Sequence, residues 1–344
     1  GQSATLTLDL PADWHQHDLL VLAASAPDGR PIRTWSYPLD TARQARRSMV
    51  DTATDSTRVE AVDLGDTLRL SAAGVELTLD KTTGEIAGVR AGGQPISLTG
   101  GPRLGDRPTR VAAMESRPAG DAWEVGVRYD GSLETAWWRL EPSGWLRLRY
   151  RYRLTGEHQA HGIGFDYPEA KVRSLRWRGR GPYRVWRNRR PGATHGVWET
   201  ARNDTITGQA WPSPEFKGFC GGVYWARWLT DEGSFTVVYD QPDRYLHSFT
   251  PDDPEAPLET RVSFPPTAIS FPHLIPAIGT KFHPAEDLGP AGRRLEALGA
   301  YTEDLYFYFG EPPEAYSPAA GESSEDSPSP SGAESSTGAS SSGH

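Results

Sequence analysis

Residues Trp145–Leu154 read WLRLRYRYRL, and this stretch decides the fold. Leu146, Leu148, Tyr150, Tyr152 and Leu154 fall on one face of an extended chain, and Arg147, Arg149, Arg151 and Arg153 fall on the other. Successive side chains of a strand point to opposite faces, so this period of two predicts a half-buried antiparallel strand. The arginine row has two readings, an acidic-sugar surface or a solvated face paired across to neighbouring strands, and the second is the ordinary use of such a row.

Working outward, "EVGVRYD", "AWWRLE", "GGVYWARWL", "SFTVVYD", "AISFPHLI" and "LYFYFG" also read as strands. The stretch "TLRLSAAGVELTLDKTTGEIAGVRAGGQPI" opens the series, with Asp80–Gly84 as a hairpin loop whose glycine can take positive φ. Nothing between the strands has the period of a long amphipathic helix. Many short strands with Gly and Pro turns predict an all-β chain with one large antiparallel sandwich over residues 58–312. Upstream, "ATLTLDL", "LLVLAAS" and "IRTWSYPL" read as three strands with unpaired edges, so residues 1–40 read as the end of a small β-domain. Residues 41–57 lack a sustained apolar period and read as a linker or one short helix. Residues 313–344, rich in Ser, Pro and Glu, cannot offset their ordering entropy by burial, and a disordered tail is expected.

Composition narrows the function. The 344 residues suffice for one large domain or two moderate ones. A 37% hydrophobic share with 36 Gly, 29 Pro and 12 Trp suits short strands and turns rather than long helices. A net charge of −9 argues against a nucleic-acid partner bound through the overall field. Arginine far outnumbers lysine (Lys81, Lys171, Lys217 and Lys281), a bias that genome base composition also produces. Cys220 is the only cysteine, which excludes an intrachain disulfide and a thiolate metal cluster. No apolar run approaches the 18 or so residues of a membrane span, so no membrane partner is expected. The opening "GQSATLTLDL" has no basic or apolar leader region, so a signal peptide is expected to be absent or already removed. The expected location is extracellular or periplasmic rather than cytoplasmic.

Common enzyme signatures are missing: there is no phosphate-cradling glycine loop, no HExxH and no GxSxG. His15 and His17 could share a strand face, but with no third ligand nearby no metal is expected, nor any cofactor. The segment "LRWRGRGPYRVWRNRRPGATHGVW", Leu175–Trp198, interleaves arginines with Trp177, Tyr183, Trp186 and Trp198. Sugars stack their C–H faces on rings, and their hydroxyls need planar hydrogen-bonding groups such as arginine and Asn188. Trp177 reads as core, and Trp186, in a Gly/Pro-bounded loop, as the better site candidate.

Several of these stretches resemble glycoside hydrolase family 2, the β-galactosidase group. "GPYRVWRNR" with "GVW", "NDTITG", "PEFKG", "IPAIGTKF" and "LGP" occur in the order of the family's C-terminal β-sandwich. "LTLDKTTGEIAGVRAGGQPI" resembles the opening of that domain, and residues 4–39 the end of the immunoglobulin-like domain before it. Arg184, Trp186 and Asn188 stand where the β-galactosidase pattern has Glu, Tyr and Asp. The resemblance implies a galactose-mutarotase-like supersandwich after a partial immunoglobulin-like β-domain. It implies a carbohydrate partner, an oligo- or polysaccharide, contacted by Tyr183, Arg184, Trp186, Arg187 and Trp198, with Glu215 and Lys217 as a second group. Asn188 and Arg189 would brace the loop, and "AIGTKF" would be a buried strand with Lys281 paired to an acid.

The family's paired catalytic carboxylates sit on a (β/α)8 barrel of about 250 residues. No such pattern exists here, so no catalytic residue is assigned. The chain reads as an accessory region shaping the rim of a glycosidase cleft, with the barrel in the same or a companion chain. A second reading is a stand-alone aldose 1-epimerase-like enzyme, since the large sandwich of this family resembles that of aldose 1-epimerases. They use a His acid and a Glu base, for which His195, His247, His273 and His283 with Glu199 or Glu215 supply the residue types. A third is a free sugar-binding module.

Overall fold

The computed structural model describes residues 3–17, 19–39, 50, 58–107, 109–201, 217–241, 244–250 and 262–311. The 313–344 tail, the 41–57 linker apart from Val50, and the 202–216 stretch that carries Glu215 lie outside the described residues.

The deciding stretch forms strand Leu146–His158. Leu146, Leu148, Tyr150, Tyr152 and Leu154 are buried, and the arginine row is spent on cross-strand pairing. Arg147 Nη2 and Arg149 Nε reach Asp304 at 2.7 and 2.9 Å, while Arg151 Nε and Arg153 Nε reach Glu134 at 2.6 and 2.9 Å. Burial raises the affinity of Asp304 for a proton, but hydrogen bonds from Arg149 and Arg147 outweigh it and hold the carboxyl below its usual range. The strand runs past Leu154 because Leu295–Phe309 pairs along its whole length, from Leu146↔Phe307 to His158↔Leu295.

Two large antiparallel sheets face each other. One runs from Arg110–Ala119 through Ala122–Asp130, Leu133–Leu140 and Leu146–His158 to Leu295–Phe309 and Gly233–Tyr239. It continues into Phe219–Thr230, Val172–Val185 and Thr194–Ala201. The other links the meander Glu60–Asp63, Thr67–Ala72, Val75–Asp80 and Ile86–Ala91 to Thr99–Leu104. From there it passes to His161–Asp166, Ile269–Leu274 and Arg244–Ser248. Leu70, Leu77, Trp138, Leu148, Phe165, Trp177, Trp228 and Phe307 fill the space between the sheets. The expected large antiparallel β-sandwich is therefore the fold.

The sheets join where the bent strand Phe219–Thr230, paired in the first sheet, also pairs with Arg244–Ser248 of the second at Cys220↔Leu246 and Val223↔Arg244. Val172–Val185 and Phe219–Thr230 pair along their outer halves, lose register, and pair again at Arg180↔Gly221 and Val185↔Phe219. The crossing is tight enough to need glycine: a Cβ on Gly179 would lie 2.9 Å from Gly221 O and 3.0 Å from Gly222 O. The Asp80–Gly84 loop forms as expected, with Asp80 Oδ1 accepting from the Thr82 and Thr83 amides and Gly84 at φ +71°.

Upstream, the structure corrects the expected three strands to two. Leu19–Ser25 and Pro31–Pro38 make a hairpin, but "ATLTLDL" joins no ladder among the described residues. Leu6 and Leu8 stay exposed there, because an alternating pattern becomes a strand only beside a free edge that takes it up. The hairpin touches the sandwich through the His195 amide, which donates to Ser36 Oγ at 2.7 Å.

Two substitutions on one strand test this assignment. Leu148→Ala should cost about 2–5 kcal/mol in denaturant unfolding, and Arg151→Ala about 1 kcal/mol or less. Equal costs would contradict the division into buried and solvent faces.

Candidate functional site

The loop singled out in the sequence is mostly interior. Trp186 is 2% exposed and packs against Phe219, Phe264, Ile275 and Ile278, so its faces are covered by protein and not open to a sugar. Arg187 is also buried, with Nε donating to Ala291 O at 3.0 Å and Nη2 to Arg293 O. Arg184 lies 5.3 Å over the Trp177 ring and donates to Cys220 Sγ. Trp198 is half-buried, its Nε1 donating to Gly179 O at 3.1 Å and its ring covering Gly181 and Gly196. Tyr183, at 50% exposure, is the open ring of this set; Lys217 is half-buried, and Glu215 lies outside the described residues. The five first-choice candidates therefore do not converge on one open cleft.

Asn188 and Arg189 brace the loop as expected. Asn188 Nδ2 donates to Ile278 O at 2.8 Å and its Oδ1 accepts from Ile278 N at 3.0 Å, while Arg189 Nη2 donates to Gly279 O at 2.6 Å. "AIGTKF" is not a strand: the Asn188 clasp takes up the backbone polar groups of Ile278 that a ladder would use. Lys281 is exposed with its ammonium 5.7 Å from the Phe282 ring rather than on an acid.

A cleft of about 480 Å³ opens elsewhere, at the turn from Leu146–His158 into His161–Asp166. Its polar walls include Arg107, Glu157, His158, Gln159, His161 and Arg294; Phe264, Pro265, Pro266 and Pro272 supply apolar surface. His161 connects this cleft to a buried polar cluster on the inner face of the sandwich. The Tyr152 hydroxyl stands 2.7 Å from His161 Nδ1 and 2.7 Å from His273 Nδ1. Beyond it, His273 Nε2 lies 3.7 Å from Glu303 Oε2. Glu303 is buried, accepting from Arg244 Nε and, at 3.1 Å, from the Gln241 amide. Tyr301 stacks on Tyr152 at 5.1 Å and meets the His161 ring at 4.5 Å.

The electrostatics follow from burial. Burial, with His158 alongside, lowers the His161 pKa to about 4, and burial with Arg244 and His161 lowers that of His273 to about 3. Both rings are neutral at physiological pH. Burial raises the Glu303 carboxyl, and the Arg244 hydrogen bond opposes it. His161 Nε2 makes no hydrogen bond to the described residues, and the half-buried ring lines the cleft. The arrangement thus presents a neutral imidazole with one nitrogen fixed from behind and the other free, a group able to take or give a proton. Among the described residues no three His, Cys, Asp or Glu side chains converge as metal ligands.

Of the histidines named from sequence, His273 belongs to this cluster. His195 is buried with Nε2 accepting from Arg180 Nε at 3.3 Å, His283 is exposed, and His247 is buried under Phe264 and Phe219. Glu199 accepts from Ser174 Oγ on the surface. Sequence reasoning missed His161, Tyr152, Arg244 and Glu303 as site residues. Tyr152 and His161 lie on consecutive strands, but Arg244 and Glu303 come from strands far along the chain, and no local spacing marks the set.

No family model matches the chain, and no curated protein does. Among solved structures it is similar to a galactose 1-epimerase from Lactobacillus acidophilus, at 10% identity and TM-score 0.36, over 74% of this chain and 98% of that one. It is also similar to a putative aldose 1-epimerase from Escherichia coli, at 12% identity and TM-score 0.33, over 73% and 98%. A putative mutarotase from Salmonella typhimurium aligns at 9% identity and TM-score 0.31, over 74% and 94%.

Burial of Trp186 makes a direct prediction. Trp186→Ala should lower stability by about 3–5 kcal/mol in chemical denaturation, through loss of packing and the cavity left behind. An unchanged unfolding midpoint would return Trp186 to the surface and restore it as a sugar platform.

Proposed function

We propose that this chain binds a free aldose in the His161 cleft and catalyses proton transfer at its anomeric centre, the chemistry of an aldose 1-epimerase. One observation carries the reading. An imidazole kept neutral by burial lines the cleft, with Nδ1 set against the Tyr152 hydroxyl and Nε2 not hydrogen-bonded to any described residue. Interconverting anomers requires a proton taken from the C1 hydroxyl and one delivered to the ring oxygen, with no change of oxidation state. A neutral imidazole can perform both transfers near neutral pH. The cleft volume falls within the range of about 300–1,000 Å³ usual for small-molecule sites. Arg107, Glu157, Gln159 and Arg294 offer planar groups to hydroxyls, and Phe264 with its neighbouring prolines offers apolar surface to C–H faces.

A different observation supports a second reading, an accessory sandwich beside the cleft of a family 2 glycoside hydrolase. The "GPYRVWRNR" segment is consumed in clasping Ile278, Gly279, Ala291 and Arg293, which holds Tyr183 outward as an exposed ring. An oligo- or polysaccharide would then meet Tyr183, with Arg184, Trp198, Lys217 and Glu215 kept as further candidates. Catalysis would belong to a (β/α)8 domain in the same or a companion chain.

Polarimetry on the purified chain separates the two. Equilibration of freshly dissolved D-galactose or D-glucose should run faster than in buffer, and His161→Asn should slow it about 100-fold with the circular dichroism unchanged. Rates equal to buffer, together with oligosaccharide binding that Tyr183→Ala removes, would replace the first reading by the second.

A further inference from the structure

The proposed chemistry asks His161 to carry a proton where its surroundings resist its charge, since burial beside His158 holds its pKa near 4. The groups behind the ring provide an exit. Tyr152 has a single hydroxyl proton but stands 2.7 Å from two ring nitrogens, His161 Nδ1 and His273 Nδ1. It can donate to one of them only, so the other must donate to it, and the two histidines take opposite tautomers. Charge selects which. The donors on Glu303, Arg244 Nε and the Gln241 amide, favour its carboxylate form. That carboxylate faces His273 Nε2, which is buried without a hydrogen-bond partner, and it draws the His273 proton to that nitrogen. His273 Nδ1 then accepts from the Tyr152 hydroxyl, the Tyr152 oxygen accepts from His161 Nδ1, and His161 Nε2 presents a lone pair to the cleft.

We propose that Tyr152, His273 and Glu303 form a proton relay that carries charge away from His161 while it accepts the anomeric hydroxyl proton of a sugar, and carries it back when the ring oxygen is protonated. This inference rests on the function proposed above. In the forward step the O1–H bond breaks and its electron pair becomes the C1 carbonyl as the C1–O5 bond opens. His161 Nε2 gains that proton and gives its Nδ1 proton to Tyr152, whose own proton passes to His273 Nδ1. The His273 Nε2 proton moves to Glu303, a shift that needs the 3.7 Å separation to close to hydrogen-bonding distance. Both imidazoles end neutral with their tautomers reversed, and the negative charge has moved from Glu303 to O5. The reverse transfer then delivers that proton from His161 Nε2 to O5, giving the neutral open-chain aldehyde. After rotation about C1–C2 the same transfers take the proton from O5 as it closes on the other face of C1 and return it to O1, with no redox step and no outside proton. Burial suits Glu303 to hold the proton, since it raises the carboxyl while Arg244 opposes it.

Tyr152→Phe removes the bridging oxygen and keeps the ring that stacks on Tyr301 and Tyr150. The relay predicts kcat for mutarotation down about tenfold or more, with KM for the sugar unchanged. Two-bond ¹H–¹⁵N spectra of the unliganded wild-type chain should show His161 protonated at Nδ1 and His273 at Nε2, a pairing that Tyr152→Phe should abolish. The same tautomer on both histidines, or wild-type kcat in Tyr152→Phe, would overturn the relay while leaving the epimerase reading intact. A wild-type chain without mutarotase activity would sink that reading and the catalytic role of the relay with it. The spectra would still report whether the opposed tautomers exist.

Discussion

One row of side chains on strand Leu146–His158 has to serve both the core and the cleft. Leu146 and Leu148 fill the space between the sheets, and two residues further on the same inner face carries Tyr150 and Tyr152. The face can be this apolar because the opposite face is so polar, its four arginines held by Asp304 and Glu134. Pairing with Leu295–Phe309 sets the register, placing Tyr150 against Glu303 and Tyr152 against Tyr301. The strands that supply His161 and His273 pair with each other, bringing both imidazoles to the single Tyr152 hydroxyl. A one-residue slip would turn the tyrosines to solvent and the arginines inward.

Burial decides the chemistry as well as the packing. A buried hydroxyl, the buried His273 side chain and the half-buried His161 ring lower one another's cost only if each proton has an acceptor, so the cluster stands or falls as a connected set. Arg244 and Glu303 close that set at its inner end, and the cleft opens it at His161. The arginine-rich loop works differently. Its planar groups reach backbone carbonyls at Ile278, Gly279, Ala291 and Arg293, tying distant turns to one corner of the sandwich.

The fold was legible because alternation is local. WLRLRYRYRL names its own inner face, and Asp80–Gly84 names its own turn. "ATLTLDL" shows the limit of that signal, since alternation does not supply a neighbouring edge. Trp186 shows another: Gly and Pro around a tryptophan suggested a loop tip, but Phe264, Ile275 and Ile278 come from far along the chain to cover it. Tyr152 was correctly legible as buried, yet its hydroxyl matters only through His161, His273 and Glu303, which register and sheet order bring to it. Such a cluster has no spacing in the sequence, so residue types such as His273 could be named and their meeting point could not.

The central claim is that the two imidazoles at Tyr152 are held neutral by burial, with one nitrogen of His161 free. Proton NMR titration of the histidine Cε1–H resonances tests it most directly, with assignments from His161→Asn and His273→Asn. The account predicts that neither resonance moves between pH 8 and 6 around the ordinary imidazole pKa of about 6.5. His161 should titrate with a midpoint near 4 and His273 lower still, near 3. A midpoint near 6.5 for either ring would mean that it is solvated and independent of Tyr152, and would contradict the account.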